Sequence, residues 1–358
     1  MSGIKITYSK NLYKIFILLS LTLFFFSTAK FQSIAFEIEN IEISRPFELN
    51  FDKNKVIDDG FDKAFSELMF SILNSTDQKK INQIEINQIK GMIDSFSIKK
   101  EKFIDEVYSM NIDVSFNKKA IYRFLEKKNI FPSAAIKKKF LFIPVIIDEN
   151  TNELFIFYKN DILSQWNENK KNSDLIEYIL PTEDLEDINL IKNNFENIEK
   201  YEFKEVLTKY SLEDYIIALI FKNNNDLRIL SRINVNNQII LKNKSFSNLD
   251  IKKNDNIKNL IEDLKVIYED YWKNFNLINT SIKLPINIKV QSLESEKISD
   301  FEKKLRETDL VYDFFIYKID KNFVYYKLTF NGTATVFLKV MSSHNYNFDT
   351  QNKLWILK

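Results

Sequence analysis

The residues best placed for chemistry are acidic and lie in one run, Leu180-Pro181-Thr182-Glu183-Asp184-Leu185-Glu186-Asp187. The run follows a stretch that reads as a strand, and α/β sheets bind ligands at strand ends. Carboxylates there can hold a cation, or serve as the acid and base of a hydrolysis. The plainer account is a strand-to-helix turn, in which an acidic side chain caps the helix and answers its positive end. That account is preferred, with Asp184 and Asp187 kept as candidate site residues. Three other groups are weaker. Asp58-Asp59-Gly60 reads as the first turn of a helix, where dipole complementarity explains it. Ser97 and Lys100 have the spacing of a serine–lysine pair, but that chemistry needs them one helical turn apart and they fall in an expected strand. His344, the single histidine, lies in the polar stretch SSHNYN and reads as a surface residue.

Absences exclude more than these motifs suggest. The chain has no cysteine and one histidine, so cysteine nucleophiles, Cys/His zinc sites and multi-histidine metal sites drop out. Its 4 glycines, Gly3, Gly60, Gly91 and Gly332, make neither a GxGxxG nor a Walker loop. No cofactor is expected. Lys+Arg is 51 against Asp+Glu 50, a net charge of +1, which offers no bulk field for nucleic acid. Lysine and asparagine are the background of the chain, so clusters of either carry little weight. The 358 residues, 45% apolar and 14% aromatic, are enough for two or three real cores without disulfides.

These residues must be positioned by elements that follow a short apolar segment. Residues 15–26, IFILLSLTLFFF, carry no charge, follow Lys5, Lys10 and Lys14, and lead to Ser27-Thr28-Ala29-Lys30. That is the layout of an export signal. As a helix, the stretch between Lys14 and Lys30 reaches about 22 Å, short of the roughly 30 Å hydrocarbon core. A cleaved signal is expected over residues 1–35, after Ala29 or, preferably, after Ala35; the alternative is a short inner-membrane anchor. The mature chain would then work in the periplasm.

Three modules are expected behind it, over residues 36–130, 140–280 and 285–358. The first opens on the alternating strand FEIENIEI, residues 36–43, followed by a helix that Asn54 can cap. Its apolar face is Ile57, Phe61, Ala64, Phe65, Leu68 and Ile72. A weaker helix is expected over residues 78–93, strands over 95–98 and 103–116, and a short helix capped by Asn117. The second module opens on FLFIPVII, residues 140–147, apolar on both faces like a central strand, although Pro144 argues for an edge or bulge. Later come the buried strand YIIALIF, residues 215–221, and a hairpin turning at Asn236-Asn237. A long helix presents Ile257, Leu260, Ile261, Leu264, Ile267, Tyr268, Tyr271, Trp272 and Phe275 on one face, which reads as core. In the third module, with residues 333–342 taken as a helix, the order is βαββαβ, a ferredoxin-like unit. The fold class is thus α+β or α/β, in three small mixed modules.

Over nearly its whole mature length the chain resembles the proteobacterial envelope family catalogued as domain of unknown function 2066. The resemblance rests on the strand at residues 36–43, the helix over 58–73, Tyr108 with Val114-Ser115-Phe116, and Trp166. It rests further on Glu177-Tyr178-Ile179-Leu180-Pro181 leading into Asp184-Leu185-Glu186-Asp187, and on the segment from Tyr210 to Ala218. The glycine and alanine that the family places in that last segment are poorly kept here. The resemblance implies an exported protein of three small α/β units and brings no catalytic residues. The expected role is a non-enzymatic envelope protein, partnered by an envelope protein or the cell wall. The alternatives are a carboxylate-dependent hydrolase of envelope glycans using Asp184 or Asp187, and an ion or small-ligand sensor at the same strand end.

Overall fold

The computed structural model describes residues 35–81, 84–168, 170–171, 173–291 and 295–358. The expected export segment, apart from Ala35, lies outside the described residues. The chain is mixed α/β, with three sheets and ten α-helices among the described residues.

The first sheet is antiparallel, in the order β1 (Ala35–Pro46), β3 (Val107–Asn117), β2 (Ile93–Ile104). Helix α1 (Lys53–Ile72) lies across it and buries Val56, Phe61, Ala64, Phe65, Leu68 and Ile72. Asp52 caps α1, accepting from Asn54 N, so the helix begins earlier than an Asn54 cap would place it. Asp58 and Asp59 consequently fall outside the first turn and are engaged by Lys90 and Arg45. The expected helix over residues 78–93 breaks into α2 (Ser75–Lys79) and α3 (Ile86–Lys90). The expected strand over 103–116 is interrupted at Asp105-Glu106, both with positive φ, a tight turn closed by the pair Ile104 and Val107. Helix α4 (Lys118–Lys127) starts where expected, with Asn117 Oδ1 accepting from Ala120 N at 2.9 Å.

The second sheet runs β5 (Glu153–Phe155), β4 (Lys138–Asp148), β7 (Tyr215–Asn223), β8 (Asp226–Val235), β9 (Gln238–Phe246), with β6 (Ile176–Ile179) also paired to β4. β4 is parallel to both β6 and β7. Its side chains alternate between two cores. Phe140, Phe142 and Ile146 pack with α5 (Asp161–Gln165) and α8 (Asn254–Phe275). Leu141, Ile143, Val145 and Ile147 pack on the other face with α6 (Leu185–Asn193) and α7 (Lys204–Thr208). The sheet is therefore the middle of three layers.

Pro144 is central in β4 and neither at an edge nor at a bulge. On the flank away from β7, β6 pairs with residues up to Leu141 and β5 with residues from Ile146. Pro144 falls in the interval between them, where no ladder bond is demanded of its missing N–H. Asn160, buried, fills that interval. Its Nδ2 donates to the Pro144 oxygen at 2.9 Å, Phe155 O at 3.1 Å and Ile156 O at 3.0 Å.

The third sheet has the order β11 (Val311–Ile319), β12 (Phe323–Phe330), β10 (Leu284–Gln291), β14 (Leu354–Leu357), β13 (Phe348–Asp349). Helices α9 (Ser295–Glu307) and α10 (Ala334–Ser342) supply Phe301, Leu305, Phe337 and Met341 to its core. Thr333 caps α10, which decides the β-branched stretch in favour of helix. The chain reverses between β13 and β14, so β14 runs parallel to β10.

Candidate functional site

The acidic run lies where the sequence places it, beyond the end of β6, and the local structure follows from its residue types. Asp184 is extended and is the N-cap of α6; its Oδ1 accepts from Glu186 N at 2.8 Å. Glu186 and Asp187 occupy the first turn, favourable against the positive end of the helix. Asp187 is fully buried, whereas Leu185 stands out at 76% exposure. Lys209, the residue that closes α7, reaches across to all three carboxylates. Its Nζ lies 2.9 Å from Asp184 Oδ2, 2.9 Å from Glu186 Oε2 and 2.7 Å from Asp187 Oδ1.

The knot gathers three carboxylates around one ammonium. The Lys209 ammonium, with the Glu186 amide, holds the Asp184 carboxyl below its usual range. Lys209 itself is pushed above its ordinary value, first by Asp187, then by Glu186 and Asp184. Tyr201 is pushed up to about 12 by burial and by the neighbouring Glu205. Asp184, held this way, remains charged. A general acid needs a raised pKa, and a hydrolytic pair needs carboxyls open to a substrate between them. The structure thus brings Asp184 and Asp187 together through Lys209, a partner the sequence does not reveal because lysine is its background.

The remaining sequence motifs stay apart from this knot. His344 is exposed, just beyond α10. Ser97 and Lys100 are both exposed on β2. No group of three or more His, Asp or Glu with metal-binding geometry occurs among the described residues.

No family model matches the chain, and no curated protein matches it. Among solved structures, one titled "Crystal structure of uncharacterized protein" is similar over 39% of this chain and 91% of its own, at 8% identity and a TM-score of 0.18. No helix of the described residues is long and apolar enough to cross a membrane.

A second polar centre escapes the sequence reading. α8 carries, beside its apolar stripe, the charges Lys258, Glu262, Lys265, Glu269 and Lys273. Their spacing puts them on one face. They border a cavity of about 130 Å³ where α8 meets α5 and the end of α1. Glu269 and Lys273 are 8% and 5% exposed. Burial raises the Glu269 pKa and lowers that of Lys273, and their closest approach of 4.0 Å is too long to offset it. Two other charged contacts tie α8 to α1 and α2 at this point. Asp270 accepts from Ser75 N at 2.7 Å and from Ser75 Oγ, and Lys273 donates to Phe70 O near the end of α1. The available signal was the alternation of charge at helical spacing along α8, which is easily taken for a solvated face.

Proposed function

We propose that the chain is a non-enzymatic binding protein of the cell envelope, exported by residues 1–35 and related to the domain of unknown function 2066 family. The observation that supports this reading is the bonding of Asp184, Glu186 and Asp187 to the single ammonium of Lys209. Asp184 and Glu186 are engaged at the turn from β6 to α6, and Asp187 is fully buried, its Oδ1 on Lys209 and its Oδ2 without a hydrogen-bond partner among the described residues. Its third module is a ferredoxin-like unit in element order, extended by the extra strand that places β14 beside β10. Such modules present sheet edges and helix faces to partners. The partner is an envelope protein or the cell wall, and the inner membrane joins it only if the N-terminal segment is retained.

The test is capture of partners by residues 36–358 from envelope extract, run beside an assay for peptidoglycan hydrolysis. Specific recovery of an envelope component with no hydrolysis is expected. Hydrolysis that disappears in Asp184→Ala, without a captured partner, would overturn the reading in favour of a carboxylate hydrolase.

A further inference from the structure

The two faces of the third sheet differ in kind. Helices α9 and α10 pack on one, against Ile288, Val290, Tyr326 and Leu328. Alternate residues stand on the other, where Phe315 and Tyr317 are each 48% exposed. Strand pairing sets this outer face in rows. Phe315 on β11 lies opposite Lys327 on β12, Lys327 opposite Asn287 on β10, and Asn287 opposite Leu354 on β14. The next row is Lys318, Tyr325, Lys289 and Ile356. A groove of about 410 Å³ follows the first row, lined by its four members together with Tyr317 and Lys353. Four strands about 4.8 Å apart give it a length of about 14 Å, and ligand clefts hold roughly 300–1,000 Å³.

The groove carries charge of one sign. Its charged members are Lys327 and Lys353, both exposed and both without a hydrogen bond or ion pair among the described residues. The other charges of this face are engaged elsewhere. Asp313 is held by Lys119 at 2.5 Å; Asp320 accepts from the Tyr325 hydroxyl at 2.8 Å and meets Lys318 at 3.6 Å; Lys289 lies 4.6 Å from the centre of the Phe323 ring. Beside the groove the aromatic rings continue. Tyr317 and Tyr325 have their centres 6.0 Å apart with planes inclined at 60°, and Phe323 and Tyr325 lie 6.3 Å apart at 65°. We propose that this face names the partner of the envelope binding protein inferred above, a carboxylate-bearing glycan. Its sugar rings lie against Phe315 and Tyr317 and its carboxylates on Lys327 and Lys353.

The ligand class follows from what each alternative leaves unmet. The negative face of an aromatic ring attracts the polarised C–H groups of a pyranose, two unpaired ammoniums call for anions, and the Asn287 amide both donates to and accepts from hydroxyls. A neutral glycan leaves the lysines unanswered. Single-stranded nucleic acid meets the charge, but successive stacked bases lie parallel and want rings that do the same, whereas these are inclined. Nucleic-acid contacts also favour arginine. Of Arg45, Arg123, Arg228, Arg232 and Arg306, only Arg306 belongs to this module, and it lies on α9. An acidic peptide gains main-chain hydrogen bonds at a sheet edge, but the groove passes over β12 and β10, each paired on both sides.

The experiment titrates the full-length chain by calorimetry with a galacturonate hexamer. Maltohexaose, hexathymidylate and hexaglutamate are run beside it, at about 0.15 M ionic strength so that loose contacts are screened. Saturable binding of the galacturonate is expected, with maltohexaose about tenfold weaker or worse. Lys327→Met and Tyr317→Ala should each weaken it about tenfold, a difference of about 1.4 kcal/mol. Both side chains are exposed, so both variants should keep the Tm of the parent. Lys55→Met makes the same change at an exposed position of α1 and should bind as the parent does. Absence of saturable galacturonate binding would overturn the proposal. So would binding unaltered by Lys327→Met, or weakened as much by Lys55→Met. Tighter binding of hexathymidylate or hexaglutamate would overturn it too, in favour of nucleic acid or an acidic protein. Capture from envelope extract reports separately on the binding role: an envelope protein recovered alike by the parent and Tyr317→Ala, with no galacturonate bound, removes the glycan site and leaves that role standing.

Discussion

The Nζ of Lys118, a residue 1% exposed at the start of α4, lies 3.3 Å from Asp309 Oδ1, just ahead of β11 in the third sheet. It also donates to Thr308 O at 2.9 Å, and Tyr122 donates to Asp309 O at 3.0 Å. Asp309 accepts in turn from Ala135 N at 3.2 Å. Burial lowers the Lys118 pKa, and Asp309 opposes the shift. A lysine 191 residues away in sequence from Asp309 thus ties the first sheet's helix to the third sheet, and both members of the ion pair are replaceable.

The two replacements should differ sharply. Asp309→Ala leaves a buried ammonium uncompensated, which costs about 3–5 kcal/mol. Lys118→Met removes the charge and keeps the length, so the loss should stay under about 1.5 kcal/mol. Urea denaturation of the two variants gives the comparison. Equal losses would mean that the ion pair does not carry the contact.

Gly60 makes a prediction about the seat of α1 on its sheet. A Cβ there would lie 2.5 Å from Ile112 Cδ1 and 2.9 Å from Ile43 Cδ1. Alanine gains about 1 kcal/mol of helix propensity over glycine, and overpacking a core costs typically 1–3 kcal/mol. Gly60→Ala should therefore be neutral to destabilising by about 2 kcal/mol, and Gly60→Val clearly worse. Thermal unfolding decides it, and a rise in Tm for Gly60→Ala would mean that the two isoleucines yield without cost.

The Lys209 knot predicts a ranking. Asp184→Ala removes one cap and one of three contacts, while Lys209→Met strips all three carboxylates of their counter-ion and leaves buried Asp187 unpaired. Lys209→Met should lower Tm more than Asp184→Ala, and, on the proposed binding role, neither variant nor the parent should hydrolyse peptidoglycan. A larger drop for Asp184→Ala would place the weight on the cap alone.

What was legible in the sequence was whatever burial imposes locally. β4 shows its two-sided burial as an unbroken apolar run, and α8 shows its core face as a stripe, because both patterns are written within a dozen or so residues. The turn at Asn236-Asn237 was legible from residues that tolerate positive φ; the turn at Asp105-Glu106, with φ of 51° and 59°, was not, since that pair is an unusual choice there. Pro144 misled for a related reason: whether a central strand tolerates proline depends on a gap between two other strands, filled by Asn160. The acidic run was found, but its meaning lay with Lys209, and the cavity was missed because its members belong to α1, α5 and α8. Pairing at a distance leaves no local period to read.

Glu269 gives the pH dependence its sign. Its carboxyl is desolvated, which raises its pKa above the ordinary 4.5 despite the Ile176 amide and the Lys273 ammonium. A group whose folded value is raised contributes stability that is complete below the unfolded value and is lost as pH rises through the folded one. The loss therefore begins near pH 4.5 and grows toward neutrality. Lys273 acts in another window: its folded value is lowered, so its contribution is complete above 10.5 and is lost as pH falls through the lowered value. Glutamine at position 269 keeps an oxygen for the amides of Leu175 and Ile176 and removes the titration. Carboxylates held below their usual range, such as Asp148 beside Lys222, change their contribution below pH 3.8, outside this interval, and comparing variants cancels the remaining groups. The change in Tm from pH 4.5 to 7 should be more positive in Glu269→Gln than in the parent. Coincident Tm profiles over that interval would show that Glu269 enters the folded state with its pKa unchanged, through solvent reaching Oε2.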